Sequence, residues 1–370
     1  MWRFRAAPAE RYVGAFGQIE SAWPVHGSVV VLNGLAYFTA GRETYLDGGL
    51  FAYGLDPKSA QIVHYRRLEK AVVESPDKQG TKPFVPAFHT EGARSDLLVS
   101  DGTYLFLGPL KLNEKLEPQP TPYIVPQQKA TSLNLHNLPY VDPSVFGAGR
   151  QRGENDFYTL GVLRGPMGDK TMGLRMLATG GFLDDSWYNR NYWMYSKVWP
   201  GFYLANLSAK AGELLVVDSA TTYAVQAYPT RSIHSPTFNP GTKGYLLLAD
   251  DNTNEPLLDD RTRNRDKGIG YTRAQPPKWS QWVPVLIRGM VKAGDTLFVA
   301  GPPDVFDTRD PYAALEGRKG ALLWACGSQD GKKVVEVRLE SSPVFDGMIA
   351  AENRLYLSCA DGSLICLGEK

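Results

Sequence analysis

The sequence has almost no excess of charge of either sign. Among its 370 residues, 40 lysines and arginines are matched by 39 aspartates and glutamates, and the formal net charge is +1. Binding to DNA, RNA or an anionic membrane surface needs a dense basic patch, which this balance disfavours. The sequence also lacks an apolar run long enough to span a bilayer. We therefore expect neither a nucleic-acid partner nor a membrane span.

Cysteine is scarce, with only Cys326, Cys359 and Cys366 present. An odd number of cysteines in strand-like segments argues against a disulfide framework and predicts buried free thiols. Residues 1–5 lack the apolar stretch of a secretory signal peptide. The sequence contains neither a Gly-x-Ser-x-Gly elbow nor a phosphate-binding glycine-rich loop. Serine-nucleophile and nucleotide chemistry are therefore not expected.

Turn-forming and aromatic residues are abundant. The chain has 37 glycines and 26 prolines, and 11% of its residues are aromatic. Frequent turns together with many aromatic residues are typical of an all-β protein.

A short motif recurs six times along the chain. Each copy has a polar residue, a small residue, a short strand, a turn and a second strand with an aromatic residue, 10 or 11 residues after the polar one. Pairs such as Asn33-Gly34 and Asp101-Gly102 place turn formers between the two strands. The motif predicts six hairpins, which run from His26 to Tyr37, Arg94 to Tyr104, Asp185 to Tyr195, His234 to Tyr245, Arg288 to Phe298 and Asp346 to Tyr356.

The spacing of the copies favours a β-propeller. They follow one another at intervals of 49 to 91 residues, and a period near fifty is typical of a four-stranded blade with its loops. We predict one all-β propeller domain over 1–370, with six blades or, as the alternative, seven. A long Pro- and Gly-rich stretch at about 108–166 is predicted to be an insertion.

Second hairpins complete several of the predicted blades. The last blade has three clear strands, the third from Leu364 to Gly368. The segment from Trp2 to Ala6 is predicted to supply its fourth strand and to close the ring, which removes open sheet edges. The second hairpins pair Leu50–Leu55 with Ile62–Leu68, Glu213–Asp218 with Thr222–Tyr228, and Ala321–Gly327 with Lys333–Leu339.

Several segments resemble a known repeat family. Leu55-Asp56-Pro57-Lys58 and Ser328-Gln329-Asp330-Gly331 resemble the blade ends of PQQ-binding-like (quinoprotein-like) propeller repeats. Trp23-Pro24-Val25-His26-Gly27 and Pro343-Val344-Phe345-Asp346-Gly347 are similar to segments of planctomycete-type extracytoplasmic propellers. The resemblance implies a propeller fold in a bacterial protein that is periplasmic or secreted. It does not imply the quinone cofactor, because the chain has no Cys-Cys pair and is too short for eight full blades.

The repeat also predicts where a functional site lies. In a propeller the first strand of each blade lines the central channel, so the polar residues that open the copies should meet at one channel end. Convergent titratable groups in a concave place indicate a functional site. The alternative is that they only hydrogen-bond neighbouring blades. The predicted ring consists of His26, Arg94, Asp185, His234, Arg288 and Asp346.

The densest aromatic stretch lies in the third copy. Trp187, Arg190 and Trp193, with Asp185 and the distant Asp346, are predicted ligand-binding residues, because aromatic faces beside polar donors suit sugar rings. The alternative is that alternate aromatic residues of the stretch pack between blades.

Two functions from different classes fit this ring. The first is a non-catalytic propeller that binds a glycan or a protein partner at the channel face. The second is a carbohydrate-active enzyme, most plausibly a polysaccharide lyase. In the lyase, Arg94 or Arg288 would neutralise a uronate carboxylate, His26 or His234 would remove the neighbouring proton, and Tyr188 would protonate the leaving oxygen. A hydrolase would instead need paired carboxylates, such as Asp185 and Asp346.

Metal binding has weaker support. The five histidines show no local ligand spacing, so a divalent metal would have to be shared by His26, His234 and Asp185 across the ring. The stretch Asp250-Asp251-Asn252-Thr253-Asn254-Glu255 is rich in oxygen ligands but lacks the glycine and the distal glutamate of a calcium loop. We therefore predict that it forms a solvated turn.

Overall fold

The computed structural model shows a chain built from strands. It describes residues 2–15, 17–69, 95–107, 110–119, 174–178, 193–197, 209–227, 230–231, 236–237, 240–258 and 271–368. These ranges contain 27 strands and no helix, so none of them holds a helical segment with the length and apolarity that crossing a bilayer requires. The predicted all-β class is confirmed.

The N-terminal part forms a small hairpin and a complete four-stranded sheet, which we call sheet 1. Sheet 1 has the strand order β3-β4-β5-β6. The β3–β4 turn is Asn33-Gly34, with φ values of 49° and 79°, as the asparagine–glycine pair predicts. The strands are β1 (Tyr12–Ala15), β2 (Gln18–Ser21), β3 (Val30–Leu32), β4 (Leu35–Ala40), β5 (Leu50–Leu55) and β6 (Ile62–Leu68).

Sheets 2 and 3 each have three strands among the described residues. The third strand of sheet 2 lies inside the range predicted as the insertion, whose remainder from 120 to 166 is outside the described residues. Sheet 2 contains β7 (Leu98–Ser100), β8 (Leu105–Leu107) and β9 (Leu110–Leu112), and sheet 3 contains β10 (Arg175–Ala178), β11 (Trp193–Ser196) and β12 (Ala211–Gly212).

Sheet 4 has four strands in the order β13-β14-β17-β20, with two short ribbons in its connections. Its strands are β13 (Leu214–Val217), β14 (Thr221–Gln226), β17 (Tyr245–Asp251) and β20 (Trp279–Val283). The ribbons pair β15 (Thr230–Arg231) with β16 (Pro236–Thr237), and β18 (Pro256–Leu258) with β19 (Tyr271–Arg273).

The C-terminal part forms sheet 5, with four strands, and sheet 6, with three. Both second hairpins predicted for the first and fifth blades are confirmed, in sheets 1 and 5. The strands are β21 (Gly289–Ala293), β22 (Thr296–Gly301), β23 (Ala321–Gly327), β24 (Lys333–Leu339), β25 (Pro343–Ala351), β26 (Arg354–Cys359) and β27 (Leu364–Gly368).

The sheets are arranged as a β-propeller. Apolar clusters join sheet 1 to 2, sheet 2 to 3, sheet 4 to 5 and sheet 5 to 6, and Leu215 and Val217 of sheet 4 pack on the cluster shared by sheets 2 and 3. Burial of these faces drives the stacking of the sheets. Six sheets of three or four strands are in keeping with the predicted six blades. The exact blade number stays a prediction, because the connections of sheets 2 and 3 lie largely outside the described residues.

Two of the six predicted hairpins are wrong. In the third copy, Trp193–Ser196 pairs with Arg175–Ala178 on one side and with Ala211–Gly212 on the other, which leaves no edge for a strand that begins near Asp185. In the fourth copy, β17 pairs with β14 and β20 rather than with residues after His234. Glu213–Asp218 and Thr222–Tyr228 do pair as predicted, but as the first two strands of sheet 4.

The predicted ring closure by the N-terminal strand is also wrong. The segment from Trp2 to Ala6 forms no strand and lies on the face of sheet 1. The Trp2 indole donates to the Pro57 carbonyl at 2.9 Å, and the Tyr53 hydroxyl donates to the Ala6 carbonyl at 2.8 Å. Phe4 packs edge-on against Phe38 and Tyr53. Apolar burial on sheet 1 therefore fixes this segment.

The cysteines differ in exposure. Cys326 and Cys359 are buried free thiols, as predicted, whereas Cys366 is exposed. The prediction was wrong for Cys366 because its side chain lies on the face of sheet 6 opposite to that of Ile365 and Leu367, which pack toward sheet 5.

Candidate functional site

Hydrogen bonds join polar residues of sheets 5 and 6, of sheets 6 and 1, and of sheets 1 and 2, and we call the place where these residues lie the channel end. The Asp346 N–H donates to the Arg288 carbonyl at 2.7 Å, and the Ser28 hydroxyl donates to Asp346 Oδ2 at 2.6 Å. His26 Nδ1 lies 3.3 Å from the Ser95 hydroxyl. Of the six predicted ring positions, Arg288 and Asp346 are thus hydrogen-bonded to each other, and His26 lies two residues before Ser28, the partner of Asp346.

The backbone explains why Asp346 turns toward the ring. The pairing of β25 with β26 is irregular between Pro343 and Met348, and Asp346 has a φ of 56°, a left-handed conformation that aspartate tolerates better than most residues. The bend removes Asp346 from the ladder and directs its carboxyl toward Ser28. Burial raises the pKa of the Asp346 carboxyl, and the hydrogen bond from Ser28 opposes this only in part.

His26 is the exposed member of the ring. Its imidazole reaches Ser95 on sheet 2, and Gly27 lies so close to that strand that an added Cβ would be 2.6 Å from the Asp96 carbonyl. Partial burial lowers the pKa of His26, with Arg42 acting in the same direction and Glu20 against it. The imidazole is therefore largely neutral near pH 7.

The guanidinium of Arg288 is occupied by contacts within the protein. It donates through Nη1 to the Ser342 hydroxyl at 3.3 Å and through Nη2 to the Leu315 carbonyl. Burial lowers its pKa, but an arginine stays charged at any physiological pH. Arg288 thus ties the loop that contains Leu315 to the channel end.

Arg42 and Asp47 form a second polar group beside His26. Arg42 donates to Asp47, and Arg11 Nη1 lies 3.0 Å from Asp47 Oδ1. The Arg42 carbonyl accepts the Ser95 N–H at 2.8 Å. This pairing fixes the loop between β4 and β5 against sheet 2.

Two loops rise from this channel end and expose apolar side chains. The loop after β4 leaves beside Pro24, whose carbonyl accepts the Gly41 N–H, and the loop after β22 leaves where the Pro302 carbonyl accepts the Leu286 N–H. We call these loops, residues 41–49 and 302–320, the rim loops. Their exposed large side chains are Tyr45, Leu46, Val305, Phe306, Tyr312 and Leu315.

Phe345 packs between two apolar clusters. Its side chain lies against the cluster of sheets 4 and 5 and also against the cluster of sheets 2 and 3. Phe345 of sheet 6 therefore connects the two halves of the apolar core.

Six of the remaining predicted site residues lie outside the described residues: Arg94, Asp185, Trp187, Tyr188, Arg190 and His234. Trp193 is described and is only 3% exposed. It packs with Leu97, Phe106 and Met176 between sheets 2 and 3. The structure therefore places Trp193 in the core, where its ring is covered, rather than at the channel mouth.

Sequence reasoning missed Glu213. The Glu213 N–H donates to the Val225 carbonyl just before the first pair of sheet 4, as the Arg288 N–H donates to Ala300 just before the first pair of sheet 5. Glu213 therefore holds in sheet 4 the position that was predicted for His234. In the repeat a polar residue precedes a small one, whereas Glu213 follows the small residue Gly212. The repeat motif therefore does not single out Glu213.

A buried charged network was also missed. Lys210 is fully buried, and its ammonium donates to the Asn252 carbonyl at 2.9 Å and to Glu255 Oε1 at 2.6 Å. Asp250 accepts the Lys210 N–H at 2.9 Å and pairs with Arg273 at 3.1 Å. Burial lowers the pKa of Lys210, and Glu255 opposes the shift. Asp250, Asn252 and Asn254 of the predicted solvated turn are therefore buried and hydrogen-bonded, whereas Thr253 is exposed in a turn, as predicted.

No group of three or more His, Cys, Asp or Glu side chains among the described residues is arranged to hold a metal ion. The lysine in the network supplies the charge that neutralises Glu255, so the cluster is satisfied by the protein's own groups.

Comparison with known proteins gives no family. No family model matches the chain, and no curated protein matches it. Among solved structures, the crystal structure of BamB from Moraxella catarrhalis is similar at 11% identity and a TM-score of 0.33, over 95% of this chain and 75% of that one. The computationally designed Ika8 protein is similar at 7% identity and a TM-score of 0.28, over 93% of this chain and 73% of that one.

Proposed function

We propose that this chain is a non-catalytic β-propeller that binds a partner protein across the channel end formed by His26, Arg288, Asp346 and the rim loops. The observation that supports this most is the exposure of apolar side chains on both rim loops, with Tyr312 63% exposed. Contiguous exposed apolar side chains with polar residues beside them are typical of protein-binding surfaces. Tyrosine and phenylalanine are enriched in such surfaces.

The state of the ring residues supports binding over catalysis. Arg288 is engaged by Ser342 and Leu315, and the Asp346 carboxyl accepts from Ser28. Of the three described ring residues, only the His26 imidazole is exposed. A lyase needs an arginine free to take a uronate and a base in reach of the same sugar.

The test combines a surface variant with a matched control. The variant Phe306→Ser/Tyr312→Ser removes apolar surface from one rim loop, and Val334→Ser/Val335→Ser removes exposed apolar surface from the outer strand β24. Partner capture from the native source, quantified by mass spectrometry, should fall at least about tenfold for the first variant only. Equal capture by both variants would show that the rim loops do not bind the partner.

The enzyme alternative is tested in the same series. The wild-type protein is incubated with a panel of uronic-acid polysaccharides, with and without divalent metal, and the ultraviolet absorbance of unsaturated products is followed with reducing-end release. We expect neither signal. Absorbance that rises together with new ends, and that disappears in His26→Ala, would establish the lyase in place of the binding protein. A glycan ligand without turnover would appear as binding to the same panel.

A further inference from the structure

One junction between neighbouring sheets has no shared core among the described residues. Apolar clusters join each of the other neighbouring sheets, whereas sheets 6 and 1 meet through the hydrogen bond from Ser28 to Asp346. The apolar face of sheet 1 on this side is covered by the N-terminal segment and Trp23 instead. We call the space between sheets 6 and 1 the seam.

Both sides of the seam expose apolar side chains. On sheet 6, Ile349 and Leu364 are 58% and 66% exposed. On sheet 1, Val29 and Val31 are exposed as well, while Val30 between them packs toward sheet 2. We call these exposed apolar side chains the walls of the seam, and an apolar segment that covers them gains free energy by burial.

The free edge of sheet 6 borders the seam. In sheets 1 and 5 the third strand is covered by a fourth, whereas β27 pairs with β26 alone among the described residues. The Cys359 N–H donates to the Ser363 carbonyl at 2.9 Å, and hydrogen-bonded pairs alternate along an antiparallel ladder. Ile365 and Leu367 therefore bond to β26, and the main-chain groups of Leu364, Cys366 and Gly368 are directed outward.

The charge beside the seam is positive. Arg354 lies on the seam side of sheet 6, with Nη1 4.0 Å from Cys366 Sγ. In the extended N-terminal segment, Phe4 and Ala6 pack on sheet 1, whereas Arg3 and Arg5 are exposed and, by alternation, project away from that sheet. Three arginines thus flank the seam, and opposite charges on a partner would complement them.

We propose that the seam is a β-augmentation site, in which an extended segment of a partner protein with alternating apolar and acidic residues adds to β27 as the fourth strand of sheet 6. The outward main-chain groups of β27 supply the hydrogen bonds, the apolar walls receive alternate side chains, and the arginines select acidic residues. The site is separate from the rim loops, so it does not depend on the proposed channel-end function.

The probe for the test is a fluorescein-labelled seven-residue peptide in which valine and glutamate alternate. Its binding to the intact chain is measured by fluorescence anisotropy, with a peptide that has lysine for glutamate as the charge control. We expect the lysine peptide to bind at least about tenfold more weakly than the glutamate peptide.

Cys366 reports where the peptide binds. It is the exposed thiol, while Cys326 and Cys359 are buried, and burial raises the pKa of Cys326 to about 11. Thiolates react and thiols do not, so alkylation in the native protein should report on Cys366. Saturating peptide should slow its alkylation at least about tenfold, as a covered strand edge requires.

Two variants test the seam, and one serves as the control. Cys366→Pro removes an outward N–H, which an edge strand tolerates, and Leu364→Glu places a negative charge on the wall. Each should weaken the glutamate peptide at least about tenfold, whereas Val334→Glu, at a side chain 72% exposed on the edge strand β24, should leave its binding unchanged. Leu364→Glu keeps the test decisive if Cys366→Pro fails to fold.

Three results would overturn the proposal. The first is unchanged Cys366 alkylation with the peptide bound. The second is an equal loss of binding in Val334→Glu. The third is self-association that protects Cys366 without peptide, which would assign the seam to a second copy of the chain. Loss of rim-loop capture with intact peptide binding would affect the proposed function and not the seam.

Discussion

Two ionisable residues of this protein differ in whether a partner of opposite charge lies beside them. Lys210 is buried with carboxylate and carbonyl partners around its ammonium, so its charge is balanced. Asp346 is directed by a bent strand toward the Ser28 hydroxyl, which is a neutral donor. Buried charge is tolerated where it is paired and is costly elsewhere. The two residues therefore lead to different predictions.

Removal of the Lys210 ammonium should strongly destabilise the fold. Lys210→Ala removes the ammonium from the Asn252 carbonyl and from Glu255 Oε1, while Ser196 and Lys197 still donate to Glu255 Oε2. Breaking a buried pair on one side typically costs about 3–5 kcal/mol. The free energy of unfolding from urea denaturation measures the loss. The control is Lys332→Ala, which removes an exposed partner of Asp330 and should leave the urea midpoint unchanged. Equal midpoints for all three proteins would contradict a structural role of the network.

Asp346 should make stability depend on pH. Its folded-state pKa is raised from 3.8, so the folded protein holds the proton more tightly than the unfolded chain. The stabilisation is complete below pH 3.8 and is lost as the pH rises through the raised value. Asp346→Asn keeps an acceptor for Ser28 and cannot ionise. Thermal midpoints measured from pH 3.5 upward, in steps of roughly half a unit, should fall for the wild type relative to this variant as the pH rises. Parallel curves would show that Asp346 does not titrate in this way.

At the scale of elements, one carboxylate joins two long loops. Asp304, buried at the start of a rim loop, accepts the Gly241 N–H at 2.7 Å and the Gly244 N–H at 2.8 Å. Gly244 has a φ of 74°, and an added Cβ would be 1.8 Å from the Val283 carbonyl. The loop before β17 is therefore held in place by a conformation that needs glycine and by an acceptor from sheet 5.

Loss of this acceptor should weaken both the fold and the binding of a partner. Asp304→Ala removes two hydrogen bonds to a charged group, each worth about 1.5–3 kcal/mol in other proteins, so we expect a fall of at least about 2 kcal/mol in the free energy of unfolding. Hydrogen exchange should increase at Gly241 and Gly244. The control is Asp307→Ala in the same loop, an exposed turn carboxylate, which should leave exchange at both glycines unchanged.

The hairpins that sequence predicted correctly are local ones. Copies one, two, five and six have a turn of two to four residues, and strong turn formers such as Asn33-Gly34 fix the pairing within the motif. The error at His234 has a physical reason, because the partner of β17 is β14, which ends 19 residues before Tyr245. A pattern of neighbouring residues cannot indicate a pairing across a long connection.

Residues of the candidate site were likewise predictable only where they belong to the local repeat. The repeat singled out Arg288 and Asp346, which are hydrogen-bonded to each other, and His26, which lies two residues before Ser28, the partner of Asp346. Ser28 and Lys210 could not be singled out, because their partners Asp346, Asn252 and Glu255 lie at distant positions in the sequence. The 318-residue separation of Ser28 and Asp346 is visible only once the ring has formed.

At the scale of the whole molecule, the contacts between neighbouring sheets of the propeller differ in kind. Apolar cores join most neighbouring sheets, while sheets 6 and 1 meet at the seam through polar contacts. The N-terminal segment, which the sequence predicts as the closing strand, covers sheet 1 instead. The polar ring of the channel end is consequently also the point at which the propeller closes.

Closure of the propeller between sheets 6 and 1 is tested most directly by a disulfide that joins positions 28 and 346. In a Cys366→Ser background, the pair Ser28→Cys and Asp346→Cys replaces two side chains whose oxygens lie 2.6 Å apart. Under mild oxidation, we expect a cross-linked chain with altered mobility in a non-reducing gel. The control pair, Ser28→Cys and Glu352→Cys, places the second thiol in the turn between β25 and β26 and should stay reduced. Failure of the first pair to cross-link in folded protein, or cross-linking of both pairs alike, would contradict a ring closed at Ser28 and Asp346.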